Sequence, residues 1–536
     1  MQQEAEALPS APPVAAAPAP RLRFVFSLLH PGYLRHYGQP IRLLAEKGHH
    51  VHVALGRLEK DPGDFKLIEE LAAESPNVTY SQAPARRRRD GWRRLAWLVR
   101  ALTDLARYGD PRYADAPALR GRFVDKLDWR IDYSRLPKPL KRPLHRKIAG
   151  LATGADAHLA RRTIDRLARY EDAIPPGRRI VEFLRAQQPD AVLASPVIEF
   201  ASSQVEYLKA ARALGIRTGI CVASWDNLTG KGLLRFVPDR VFVWNEIQRQ
   251  ELVEMHGIPA DRVVLTGAQR FDDWFDRRPS TTPDEFKRRR GLGPGPYVLY
   301  LCSSPFIAPD EVGFVRRWLA AVRERFPEVG VLVRPHPQNA AQWRDVDLGD
   351  TNAVVWPREG EQPDAGEARA GYFDSLAHSA CIVGINTSGL IEAGIVGKAV
   401  LTVADPAFAG TQEGTLHFHY LRWENGGLLH VARDLEEHLD QLARAVEQGE
   451  EDTRQVREFV QRFTRPHGLD RPAAPLVAQG LEELGRLGPA PRPRPSPGTL
   501  ARRAGLYPVA LTMTAVSYLL GGARHARKVV LGAARR

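Results

Sequence analysis

"CIVGINTSGLIEAGIVGKAVLTV", Cys381–Val403, sets the frame for the whole chain. It opens on a short apolar run, passes through Asn386, Thr387, Ser388 and Gly389, takes helical spacing over "SGLIEAGIVG", and closes on the apolar run "KAVLTV". Strand, turn, helix and strand in so few residues is the repeat of an α/β sheet. The turn admits two readings. Thr387 or Ser388 is a plain N-cap. Alternatively, the free amides at the helix start and the positive end of its dipole hold an anion. Glu392, about one turn in, is either an acid that offsets the dipole or an acceptor for sugar hydroxyls.

The same alternation extends in both directions. "PYVLYLCSS", "VGVLVRPHP" and "AVVWP" read as strands, with helices "APDEVGFVRRWLAAVRERF" and "AGYFDSLAHSA" between them. Together with the helices "DLEEHLDQLARAVEQG" and "EDTRQVREFVQRF" they form a domain over 295–487. A first series runs over 22–276. "RLRFVFSLL" is its first strand, "HPGYLRHYGQ" a loop, "PIRLLAEKG" a helix closed by Gly48, and "HHVHVAL" the next strand. A right-handed crossover makes these strands parallel. "PDAVLASPV", "IRTGICVAS", "PDRVFVWN" and "RVVLTG" continue the sheet. Residues 86–150, with "RRRR" and aromatics at helical spacing, break the pattern as a basic helical insertion. Residues 277–294 are a linker by composition. The expected fold is therefore α/β, with two Rossmann-like, doubly wound parallel-sheet domains facing a cleft.

Composition agrees with more than one domain: 536 residues, 43% hydrophobic and 26% charged. A net charge of +13 suits nucleic acid, an anionic membrane surface or anionic small substrates, and does not choose among them. The aromatics beside "RRRR" read as core, and no nucleic-acid motif accompanies them, so nucleic acid is not the expected partner. Cys221, Cys302 and Cys381 each sit in an apolar run without ligand spacing. That speaks against a disulfide framework or zinc site and for a reducing, cytoplasmic compartment. His417 and His419 lack a third ligand, and no metal is expected. Residues 1–21 read as a disordered, Ala/Pro-rich lead-in without a signal-peptide pattern, and 488–499 as a Pro-rich linker. The segment 500–536 carries an uncharged run, Leu506–Ala523, with basic flanks. This is near the lower limit for a spanning helix of about 17 to 25 residues. Pro508 favours a helix lying at the cytoplasmic membrane face; a helix docked on the protein's own core is the alternative.

Ligands of open parallel sheets bind beyond the carboxyl ends of the strands. In the second domain three loops there carry suitable groups. "CSSPF" offers Ser303 and Ser304. "VRPHPQN" offers Arg334, a fork for phosphate oxygens held before two prolines, and His336. The opening stretch offers Thr387, Ser388 and Gly389, with Glu392 beyond. After the next strand, "AGTQEGTLHFH" is densely polar, and Thr411, Gln412 and Glu413 stand as further donor contacts. In the first domain His30 is a candidate general base, and Asp226 of "SWDNLTGKG" a rival. Asn227, Thr229, Lys231 and Arg270 are candidate acceptor-side groups.

With "SS", "RPHP" and "NTSGLIEAGIVGKAVLTV" in this order, the chain resembles the GT-B superfamily of glycosyltransferases over roughly Leu22 to Leu484. The nearest patterns are those of the CDP-glycerol glycerophosphotransferase, capsule polysaccharide transferase and UDP-N-acetylglucosamine 2-epimerase group. The resemblance implies that Arg334 and His336 contact donor phosphate, that Thr387, Ser388 and Gly389 form the diphosphate turn, and that Glu392 holds the ribose. It implies a nucleotide-sugar donor, no metal or other cofactor, and a glycan or lipid-linked acceptor on the first domain. One departure stands out: glycerophosphotransferases carry Asp-Tyr-Ser-Ser where this chain has "NTSG". A sugar transferase is therefore expected ahead of a polyol-phosphate transferase or an epimerase. A non-catalytic nucleotide-binding scaffold of the same fold is the alternative of another class.

Overall fold

Strands buried on both faces must be apolar throughout, and the apolar runs above form such strands. The structure is a computed structural model that describes residues 20–58, 65–132, 141–143, 146, 157–349, 352–363, 366–448 and 454–533. The expected lead-in up to residue 19, and most of the insertion beyond Asp132, lie outside these residues.

The first sheet has seven parallel strands in the order β3-β2-β1-β4-β5-β6-β7. These are β1 Arg23–Leu28, β2 His50–Leu55, β3 Val78–Gln82, β4 Ala191–Ser195, β5 Arg217–Cys221, β6 Arg240–Val243 and β7 Val263–Leu265. The second has six, in the order β10-β9-β8-β11-β12-β13. They are β8 Tyr297–Leu301, β9 Gly330–Arg334, β10 Ala353–Val355, β11 Cys381–Gly384, β12 Ala399–Val403 and β13 Leu429–Ala432. Both orders reverse direction after their third listed strand, the topology of a Rossmann-like doubly wound sheet. Parallel register brings Leu301, Arg334 and Gly384 level at the carboxyl edge of the second sheet, and Leu28, Leu55 and Ser195 level in the first. The architecture is the one expected.

Local features depart from the sequence reading, each for a physical reason. β3 was not expected, because "VTYSQ" is an edge strand with only Val78 buried. The stretch after β1 is not a long loop: Pro31–Tyr33 is a 3-10 turn and a helix runs over Leu34–Glu46. Pro40 lies inside that helix rather than at its start, and brings no N–H to the helical ladder. The linker 277–294 contains its own helix, Pro283–Arg290, capped by Thr282.

The insertion is helical, as expected, and extends further. Helices Trp92–Arg107, Pro117–Asp132 and Ala157–Ala173 precede β4. Arg86, first of the four arginines, is no solvated charge: it pairs with Glu206 at 2.8 Å and Asp90 at 3.0 Å. Arg100 bonds Glu171 at 2.8 Å and Glu206 at 2.5 Å, all three buried. Burial alone would raise the Glu171 carboxyl, but Arg100 and Lys209 hold it down at about 2. This network ties the insertion to the helix behind β4.

The boundary at 487 needs correction. After the helix Arg454–Thr464, which packs Val456, Phe459 and Phe463 into the second domain, the chain crosses back. The helix Ala473–Arg486 buries Val477, Ala478, Leu481 and Leu484 in the first domain, against Phe24 and Phe242. Lys47 adds an ion pair to Glu482 at 2.7 Å. Amphipathic spacing announces a buried face without saying which sheet it covers. The Pro-rich segment then follows the first domain, with Ala490 N–H donating to Gly215 O at 2.8 Å.

A Cβ on Gly480 would stand 2.5 Å from Phe242 Cε1, so the returning helix approaches β6 closer than any other residue allows. Gly480→Ala is expected to cost about 1–3 kcal/mol by overpacking, read as a lowered midpoint in chemical denaturation. Gly313→Ala, whose Cβ would meet no atom within 4 Å, is expected to leave the midpoint unchanged or raise it.

Candidate active site in the interdomain cleft

The two carboxyl edges enclose a cavity of about 320 Å³. One wall is the start of the Leu34–Glu46 helix with the Gln269–Asp273 stretch, and the other is the loops after β8, β9 and β11. Arg35, Arg42, Arg270, Arg277, Arg334 and Arg369 line it, against the carboxylates Asp272, Asp273, Glu361 and Glu392. Six cations against four anions leave room for the charge of an anionic ligand.

Arg334 ends β9 and is only 5% exposed. Its guanidinium lies between two rings, 4.7 Å from the centroid of Trp356 and 4.8 Å from that of Tyr372. Arg290 stacks on Trp356 at 3.5 Å. Neither terminal nitrogen of Arg334 has a hydrogen-bond partner among the described residues. Burial pulls its pKa down to about 10, which still leaves it charged at neutral pH. A buried cation with unmet donors is costly, and the cavity is where an acceptor would meet them.

His336 caps the next turn: its Nδ1 accepts from Gln338 N–H at 3.1 Å. The neutral ring therefore carries its proton on Nε2, as a donor on the cavity wall. Burial, helped by Arg35, pushes its pKa down to about 4, so it stays neutral at pH 7.

Thr387, Ser388 and Gly389 line the same cavity. Ser388 sits at the N-cap but its side chain makes no cap bond. Gly389 is required by packing, since a Cβ would fall 2.7 Å from Leu301 Cδ1 and 3.0 Å from Tyr372 Oη. Glu392 is buried and accepts from Tyr372 Oη at 2.5 Å and from Arg270 at 3.1 Å. Burial raises its pKa, and Arg270 opposes the rise. Arg270 was read as an acceptor-side group; it instead joins the two domains at Glu392.

Other expected donor groups are taken up by the fold. Ser303 is fully buried, its N–H donates to Glu311 at 2.9 Å, and its Oγ accepts from Asn386 N–H at 3.4 Å. Ser304 caps the next turn through its carbonyl. Thr411 donates to Ile307 O at 2.6 Å. The Gln412 amide donates to Thr402 Oγ1 at 2.9 Å and to Ile385 O at 3.2 Å. Glu413 pairs with Arg422 at 2.9 Å. None of these five lines the cleft cavity. His417 and His419 lie on a 3-10 helix, Leu416–Tyr420. His417 meets Thr229 across the domains at 3.1 Å, and His419 turns to Glu413 O at 2.8 Å. Among the described residues, no three His, Cys, Asp or Glu side chains gather as a metal site.

The first-domain candidates form a second polar cluster beside the cavity. His30 holds its ring 4.7 Å from that of Tyr33. Lys231 pairs with Glu199 at 2.7 Å. Asn227 donates to Asp226 at 3.2 Å. Burial would raise Asp226, but Lys231 and His417 keep its carboxyl low and ionised. The sequence reading passed over His36, which lines the cleft and has an unpartnered Nδ1 among the described residues. It also missed Trp356 and Tyr372. Only the fold brings these residues to Arg334.

No family model matches the chain, and no curated protein matches it in sequence. Among solved structures, the chain is similar to the UDP-GlcNAc 2-epimerase of Methanocaldococcus jannaschii, at 10% identity and a TM-score of 0.47, over 86% of this chain and 100% of that one. The UDP-GlcNAc 2-epimerase of Neisseria meningitidis bound to UDP-GlcNAc aligns at 11% identity and 0.47, again over 86% and 100%. A glycosyltransferase of Rickettsia africae aligns at 9% identity and 0.42, over 92% and 99%. Likenesses this distant carry no argument about activity; the two parallel sheets themselves define the fold.

A further buried acid spans the domains. Glu251, on the helix Glu246–His256, accepts from Tyr420 Oη at 2.7 Å, and its other oxygen has no partner among the described residues. Burial pushes its pKa up to about 8. The folded state thus keeps a proton that the unfolded state loses near pH 4.5, and stability falls as pH rises between those values. Glu251→Gln is expected to remove that slope. At pH 8 the variant should be more stable than the parent by at least about 1 kcal/mol, the gap closing towards pH 4.5 in urea titrations.

Proposed function

We propose that the chain is a metal-independent GT-B glycosyltransferase that takes a sugar from a nucleotide-activated donor. The observation that carries this reading is the Arg334 guanidinium, buried between two rings at the wall of the interdomain cavity, with neither terminal nitrogen paired among the described residues. In this reading the donor diphosphate accepts from Arg334 and from His336 Nε2–H, beside the Thr387–Gly389 turn. Glu392 takes the ribose hydroxyls, exchanging one of its present donors. As the glycosidic bond to the diphosphate breaks, the growing charge is stabilised by these fixed donors. The attacking hydroxyl comes from a glycan or lipid-linked acceptor on the first domain. Of the candidate bases His30, His36 and Asp226, only His36 lines the cleft cavity.

The proposal extends to the cytoplasmic membrane face and to cell-surface polysaccharide synthesis. No helix among the described residues is long and apolar enough to cross a membrane. The helix Pro497–Ala533 docks one stripe, Leu506, Ala510 and Met513, on the insertion helices. It leaves Tyr507, Val509, Leu511 and Val516 exposed. Docking and membrane contact are thus compatible on one helix, with basic flanks suited to anionic headgroups.

Arg334→Ala is expected to weaken binding of the preferred nucleoside diphosphate among UDP, CDP and GDP at least tenfold in calorimetry. Arg334→Lys should rescue little, because an ammonium lacks the flat fork. Unchanged affinity in Arg334→Ala and Glu392→Ala together would overturn the donor site. For the membrane contact, the double variant Val509→Glu/Val516→Glu should lose co-sedimentation with vesicles rich in anionic phospholipid. Equal sedimentation of parent and variant would end that part of the proposal.

A further inference from the structure

The first sheet has a switch point of its own, and a second cavity lies over it. Strand order reverses between β1 and β4, where a doubly wound sheet offers a crevice. A cavity of about 800 Å³ opens there, with Leu29 after β1 and Glu199–Ser203 after β4 on its inner side. The insertion helices supply its other wall, through Arg93, Trp97 and Lys126. Leu29 adjoins His30, and Glu199 pairs with Lys231, beside Asp226. The donor cavity takes Leu34, Arg35 and His36 from the far end of the same stretch. Residues 29–36 therefore run between the two cavities.

The loop that forms the inner wall is held in a strained shape. Val197 and Ala201 have φ of +62° and +53°, a region costly for residues with a Cβ, above all a branched one. Gln204 fixes it by donating to Ser195 O at 2.7 Å and Ser27 O at 2.9 Å. Asp104 of the insertion accepts from Ala201 N–H at 2.7 Å. A conformation over-determined in this way is a built feature of the site.

The lining has a definite chemistry. Trp97 and Phe200 meet edge to face at 6.0 Å. Lys126 stands over Phe200 at 5.6 Å and over Phe123 at 5.3 Å. Arg86 and Arg100, also in the lining, are consumed by Glu206 and Glu171. Arg57, Arg93 and Lys126 are not: none has a carboxylate partner within salt-bridge distance among the described residues. Burial lowers Lys126 to about 8, and a bound anion would reverse that.

We infer that this cavity holds the acceptor, and that the acceptor is an anionic glycan or polyol chain bearing a carboxylate or phosphate close to the attacked unit. The Trp97–Phe200 aromatic pair offers apolar surface to the C–H side of a ring, and Lys126, with Arg57 and Arg93, takes the charge. The inference rests on the transferase reading, and gives it a substrate class.

The test uses the full chain and three probes at fixed ionic strength: trigalacturonate, a glycerol-phosphate trimer and neutral maltotriose. At least one anionic probe should bind tenfold or more tightly than maltotriose, and comparison of the two names the anion. Lys126→Gln should remove most of that preference. Trp97→Ala should weaken the anionic probe about tenfold, and Trp97→Phe should largely restore it. Should the Lys126 variant fail to fold, Arg93→Gln at an exposed position repeats the measurement. Absence of any preference for an anion, or a preference untouched by these substitutions, overturns the inference. UDP, CDP and GDP titrated into the same samples keep the two readings apart: a nucleotide that binds through Arg334 while no anionic probe is preferred leaves the donor site standing and removes this one.

Discussion

Parallel pairing is the constraint from which the site follows. It sends the carboxyl ends of every strand to one edge of a sheet, so loops distant in sequence must share that edge. Leu301, Arg334 and Gly384 are level for this reason alone. The crossing helix Ala473–Arg486 then returns the chain to the first sheet, and Arg270 reaches Glu392 from the other side. The cleft is the space these two requirements leave.

Within that space, the useful distinction is between polar groups whose bonds are met and those whose bonds are not. Ser303, Thr411 and Gln412 sit near the same edge as Arg334, yet each has its partners in the protein. Their hydrogen bonds shape the loops. Arg334 is buried too, and its terminal nitrogens have no acceptor among the described residues, which makes it the costly residue in the cleft. The flat contacts of Trp356 and Tyr372 offset part of the cost by holding the guanidinium between two rings.

This also explains what could be read from the sequence. Strands buried on both faces announce themselves as apolar runs, so most of both sheets was legible. Edge strand β3, with four of its five residues unburied, was not. Arg334, His336 and Thr387–Gly389 were legible because a strand end followed by proline or glycine fixes where they must lie. Their surroundings were not. That Glu311 claims the Ser303 amide from eight residues away, or that Tyr372 faces Glu392 from twenty away, depends on helix packing that local pattern does not encode. The helix Ala473–Arg486 shows the same limit: which sheet its buried face covers is set by tertiary packing and not by local pattern.

On the proposed reading, the two switch points are what would separate a transferase from a passive nucleotide holder. A scaffold needs one anion site and has no use for a second cavity beyond the stretch 29–36. Here the insertion spends a buried network of Arg86, Arg100, Glu171 and Glu206 to stand over the first sheet's crevice. Such networks are often no more stable than apolar packing of the same volume, so stability alone is a weak reason for this one. What it does achieve is position. It holds Trp97 beside Phe200 and sets Asp104 to clamp the loop at Ala201. If both proposed sites are occupied, the short histidine-bearing stretch 29–36 lies between the two ligands.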